Sequence, residues 1–98
     1  MARYDVYRAN EHDLLLDLQA DILDDLGTRF VVLLRPRGRV EPPIRRLNPV
    51  FAIDGIDHVM LTQLVASVPP RELGRPLATL AAEADAIRDA LDFLLVGF

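Results

Sequence analysis

The sequence predicts an α+β fold: an antiparallel sheet, strongly twisted or closed as a small barrel, followed by one C-terminal helix. Three observations carry that expectation. In the first two-thirds of the chain, apolar residues alternate or run in short blocks rich in Val, Ile and Phe, as strands do. Pro, Gly, Asn and Asp separate those blocks at turn positions. From Leu77 onward the apolar spacing lengthens to three or four residues, one face of a helix. The 98 residues are one domain's worth of sequence, spanning 1–98.

The elements follow in order. Tyr4 and Val6 alternate with polar neighbours, as a half-buried strand should. Ala9 to His12 is polar and short, which suits a turn. Leu14 to Leu18 is a second strand, apolar enough to be covered on most of both faces. Ala20 to Thr28 is a loop that Gly27 closes, and Arg29 to Arg35 is a strong β run. Pro36 to Pro43 holds three prolines and Gly38, which excludes a regular element. Ile44 to Leu47 reads as a short edge strand, and Asn48-Pro49 as a turn. Val50 to Ile53 and Ile56 to Leu61 flank Asp54-Gly55, a hairpin signal. Leu64 to Val68 is the last β run, stopped by Pro69-Pro70, and Arg71 to Gly74 is at most one helical turn. The stripe Leu77, Leu80, Ala84, Ile87, Leu91, Leu94 predicts the helix. Pro76 in its first turn or Thr79 as its N-cap would open it, and Gly97 sits where a left-handed C-cap belongs.

Composition narrows the function classes. Apolar residues make up 51% of the chain, which supplies a core and excludes disorder. In so small a chain, a homodimer interface is the expected place for the apolar excess. The net charge is −4 and every basic residue is Arg, a balance that argues against bulk nucleic-acid binding. The longest uncharged stretch, His58 to Pro70, is shorter than the ~18 residues of a membrane span. No basic-then-apolar leader opens the chain, and there is no Cys. A cytoplasmic protein without disulfides or thiolate chemistry is the expectation.

Chemistry-bearing motifs are sparse. His12 and His58 lack metal-ligand spacing, so no metal or other cofactor is expected. Ser67, the only Ser, has no GxSxG context, and the five Gly form no phosphate loop. No catalytic residue is assigned, and the protein is not expected to be an enzyme. Three other features stand out. Arg35, Arg37, Arg39, Arg45 and Arg46 cluster in one stretch, suited to anions or simply solvated. Ile22-Leu23 sits among Asp21, Asp24 and Asp25, either turned into the core or set as a contact point. At the C-terminus Val96 lines up with Asp85, Asp89 and Asp92, with Arg88 on the flank, and Phe98 follows Gly97. That tip is either a docking element or a plug folded back on the barrel.

The residues match one family over nearly the full length. Asp17 to Asp24 (DLQADILD) is similar to the DVQSDIID stretch of the CcdB family of toxin–antitoxin toxins. Val6-Tyr7, Gly27 with the β run after it, and Leu47-Asn48-Pro49-Val50 beside the family's LYPV continue the resemblance in order. Ala66-Ser67-Val68-Pro69 is identical to its ASVP, and the final helix ends in Gly plus one apolar residue, as the family does.

The resemblance implies an SH3-like barrel with a C-terminal helix, related in fold to MazF-type toxins, and a homodimer. It implies a toxin that inserts into the GyrA subunit of DNA gyrase, traps cleaved DNA, and is neutralised by a CcdA-like antitoxin. That is binding rather than catalysis, a symmetric wedge for a symmetric hole. Carried over by position, the gyrase contact comprises Val96, Gly97, Phe98, Asp92, Ile22 and Leu23, and the antitoxin contact Ile22, Leu23 and Arg88. The family's terminal Trp-Gly-Ile is here Val96-Gly97-Phe98, and Asp92 stands where the family carries Asn. A toxin with a lost or altered target is therefore one alternative, and a MazF-like endoribonuclease the other.

Overall fold

The computed structural model describes residues 2–97. Strands β1 (Asp5–Arg8), β2 (Leu14–Asp17), β3 (Arg29–Pro36), β4 (Val50–Ile53), β5 (Ile56–Val68) and β6 (Ala78–Thr79) precede helix α1 (Ala84–Val96). The sheet order is β4-β5-β3-β2-β1-β6, with every neighbouring pair antiparallel. This is the expected α+β architecture, a barrel-like sheet with a C-terminal helix.

Alternation of side chains across β1, β2 and β3 builds two apolar layers. Val6, Leu14, Leu16, Val32 and Leu34 meet Phe51, Met60, Ile87 and Ala90 in the main core, between sheet and helix. Tyr7 and Val31 face the other way and pack with Leu73, Leu15 and Val68. Strand β2 is thus covered on both faces, as its unbroken leucines predict. Asp54 (φ 52°) and Gly55 (φ 76°) both take positive φ, making the tight turn between β4 and β5.

Three expectations need correction. Ile44 to Leu47 is a turn, not an edge strand. The Asn48 N–H donates to the Ile44 carbonyl at 2.8 Å, the Ile44 N–H donates to Asn48 Oδ1 at 3.0 Å, and Arg46 adopts φ 71°. Those local bonds take up the groups that a strand would pair. Ile56–Leu61 and Leu64–Val68 are not separate strands but one, β5. Val32 pairs with Val65 and Leu33 with Leu61, so Thr62, Gln63 and Leu64 form a bulge opposite β3. The polar pair that reads as a break is held from outside: Thr62 Oγ1 donates to the Leu47 carbonyl, and Asn48 Nδ2 donates to Gln63 Oε1 at 2.9 Å.

The helix also starts later than Pro76 or Thr79. Ala78 and Thr79 pair with Val6 and Asp5 of β1, and the Leu77 and Leu80 N–H groups donate to Val6 and Tyr4. Exposed backbone groups on β1 capture this segment before it can coil. Thr79 Oγ1 accepts the Ala81 N–H at 3.2 Å, but the cap of the 3-10 turn Ala81–Glu83 that follows is Leu80. Leu77 and Leu94, both expected on the stripe, are exposed, whereas Leu80 and Ile87 are buried, as is Ala90 beside them. Gly97 ends α1 in the left-handed conformation, its N–H donating to the Phe93 carbonyl at 2.9 Å.

Candidate functional site

The loop between β2 and β3 holds large apolar side chains in solvent beside its exposed aspartates. Its apolar residues point outward: Ile22 is 90% exposed and Leu23 47%. Side-chain hydrogen bonds tether it, although Asp21 and Asp24 are themselves exposed. Asp21 Oδ1 accepts the Arg3 N–H at 2.8 Å, and Gln19 Nε2 donates to the Leu23 carbonyl at 2.8 Å. Arg29, at the root of β3, donates to Asp24 Oδ1 at 2.7 Å and through two nitrogens to Asp17 Oδ2 at 3.1 and 2.6 Å. Both Arg29 and Asp17 are fully buried. Of the two readings open for Ile22-Leu23, core or contact point, their exposure removes the first. Sequence reasoning missed Asp17, Gln19 and Arg29. Position offered the one available signal, since Arg29 shares a strand face with the buried Val31.

The helix tip is a second exposed apolar element. Val96 is 57% exposed and Leu95 78%. The acidic ridge beneath it is largely neutralised. Arg88 donates to Asp85 at 2.7 Å, and Arg46 grips Asp89 with two bonds of 2.9 and 3.0 Å. The Arg46 guanidinium also lies 5.0 Å from the Phe93 ring centre, so the turn before β4 is strapped to the helix. Among the described residues Asp92 has no ion-pair partner. Phe98 lies outside the described residues.

The Arg stretch does not act as one patch. Arg35 forms a bidentate pair with the buried Asp13 at 3.0 Å, Arg37 approaches Asp57 at 3.7 Å, and Arg39 hydrogen-bonds His12 at 2.9 Å. The Arg35 guanidinium holds the Asp13 carboxyl below its ordinary range, outweighing the opposing effect of burial.

The fold brings the two histidines together. His12 and His58 line one cleft with Arg8, Glu11 and Asp54, walled by Leu14, Pro36, Ile53, Ile56 and Leu77. The cleft encloses about 160 Å³. His58 Nδ1 lies 2.9 Å from the Ile56 carbonyl, which can only accept, so Nδ1 carries a proton. In the neutral ring Nε2 is then the acceptor.

With this geometry in hand, the model of one protein family, described as CcdB protein, matches residues 3–97. The chain belongs to the CcdB family. Two solved structures share its fold. An endoribonuclease in complex with its cognate antitoxin, from mycobacterial species, is 17% identical with a TM-score of 0.79, covering 97% of this chain and 94% of that one. A second mycobacterial endoribonuclease is 18% identical with a TM-score of 0.77, covering 97% of this chain and 90% of that one. At such identities the likeness is one of fold. In this CcdB-family chain the described positions carried over from the family, Ile22, Leu23, Arg88, Asp92, Val96 and Gly97, are all exposed and sit on the loop and at the helix and its C-cap.

Proposed function

We propose that the protein is a toxin of the CcdB type that binds the GyrA subunit of gyrase as a two-fold homodimer and acts by binding, not catalysis. The observation that carries this reading is the exposed Ile22-Leu23 pair on a tethered loop. Large apolar side chains held in water on a loop tethered by side-chain hydrogen bonds fit a contact surface. Val96 at the helix tip gives the contact a second apolar point, smaller than the family's Trp. A CcdA-like antitoxin, meeting Ile22, Leu23 and Arg88, would neutralise the toxin, and one structural neighbour is described with its cognate antitoxin. The test is calorimetric binding to the dimerisation core of the host's own GyrA. Binding that disappears when residues 96–98 are removed supports the proposal. Absence of binding by the intact protein refutes the gyrase target and favours the altered-target alternative.

A second reading, RNA cleavage, rests on the cleft that joins His12, His58 and Arg8. An acceptor imidazole in the same cleft as a guanidinium is a pairing that phosphodiester chemistry can use, and both structural neighbours are described as endoribonucleases. RNA degradation by the wild type that is abolished in His58→Ala supports this reading. Equal degradation by both proteins points to a contaminating nuclease.

A further inference from the structure

We infer that Arg29 is a positioning residue: through Asp24 it fixes the conformation in which the loop presents Ile22 and Leu23. The inference rests on the reading of that loop as target-binding, and its structural half can be measured without any target.

Arg29 is the largest fully buried side chain among the described residues. A buried ion pair is a weak source of stability, because desolvating two charges offsets most of their attraction. Apolar residues at 17, which lies opposite Val31, and at 29 could fill the same buried space. An arginine there does something an apolar residue cannot. It spends two bonds on Asp17 inside the core and sends the third outward to Asp24, which is half-exposed on the loop. Asp17 also accepts the Gln19 N–H at 3.0 Å through its other oxygen. Gln19 in turn ties the Phe30 N–H at 3.0 Å to the Leu23 carbonyl at 2.8 Å. One connected network therefore runs from a buried carboxylate to Leu23 itself and to Asp24, the residue after the exposed pair. Between Ala20 and Leu26 the backbone itself supplies only short-range turn bonds, from Leu23 to Ala20, Asp24 to Asp21 and Leu26 to Leu23. Without the side-chain anchors the loop would sample many conformations, and affinity would fall with the fraction that is competent to bind.

The experiment uses Asp24→Ala in the full-length protein, which leaves the buried Asp17–Arg29 pair intact. The thermal midpoint is expected to move by less than about 4 °C. Amide exchange across residues 20–26 should accelerate at least about tenfold, with core strands unchanged. Affinity for the GyrA dimerisation core should drop about tenfold, mostly in the association rate. A second variant tests positioning directly. Ala20 has φ −58° and ψ 138°, and its N–H donates no bond among the described residues, so it can accept proline. Adding Ala20→Pro to Asp24→Ala should stiffen the loop and recover affinity, a rescue that a purely structural role for Asp24 would not give. Unchanged loop exchange in Asp24→Ala overturns the proposal, and so does faster exchange with undiminished affinity. If the wild type itself fails to bind GyrA, the gyrase target is wrong, while the exchange result still decides whether Arg29 orders the loop.

Discussion

Truncating Ile22 to alanine should separate recognition from folding. The change removes the equivalent of three methylenes, worth about 2.4 kcal/mol of transfer from water at about 0.8 kcal/mol each. In the free protein Ile22 is 90% exposed, so folding realises about a tenth of that, roughly 0.2 kcal/mol. The remaining ~2.2 kcal/mol becomes available only when a partner covers the side chain. At 1.4 kcal/mol per decade, that corresponds to about a 40-fold loss of affinity. Urea unfolding measures the first quantity and isothermal calorimetry against the GyrA dimerisation core the second. The reasoning fails if Ile22→Ala lowers stability by more than about 1 kcal/mol, since the side chain would then belong to the core. It fails equally if the affinity for GyrA is untouched.

Three further outcomes are expected. Ile87→Ala removes a side chain with no exposure at the helix–sheet contact, and should lower unfolding free energy by about 2–5 kcal/mol in urea titrations. Asp13→Asn probes a carboxyl whose folded pKa lies below the ordinary 3.8 because of Arg35. A depressed pKa stabilises the fold above the unfolded value, so the stability gap between wild type and Asp13→Asn should be full at neutral pH and close as the pH falls below about 3.8. A gap independent of pH would show that the pair is not the source. Val96→Trp puts a large ring at an exposed position, so thermal stability should hold while GyrA affinity rises roughly 2- to 30-fold if a cation lies beneath the ring.

The strands were legible because their cues are local. Val-rich blocks and the Asp54-Gly55 pair need no partner to declare themselves, and Gly97 marks the helix end for the same reason. The start of the helix was not legible, because Ala78 and Thr79 are claimed by β1, some seventy residues upstream. Local propensity carries no record of that competition. Likewise Thr62 and Gln63 look like a break until the Asn48 turn is brought against them. The exposed pair Ile22-Leu23 could be singled out from its acidic neighbours, yet the network that holds it could not. Arg29 and Asp17 read as ordinary charged strand ends, and only the three-dimensional structure reveals that they are a buried pair. The meeting of His12 and His58 is non-local in the same sense, created by the β4–β5 turn folding back toward the β1–β2 turn.

The residues that build the fold and those proposed for contact are almost entirely different sets. Ile22, Leu23, Asp92 and Val96 stand in solvent, and no core side chain depends on them. Natural variation can therefore rewrite the contact surface one codon at a time with little penalty in folding. A lineage freed from selection for its target would change first at these positions while keeping an intact barrel. A sensitive record of whether this protein is still under such selection is thus the pattern of substitution at these few exposed sites, not the integrity of its core.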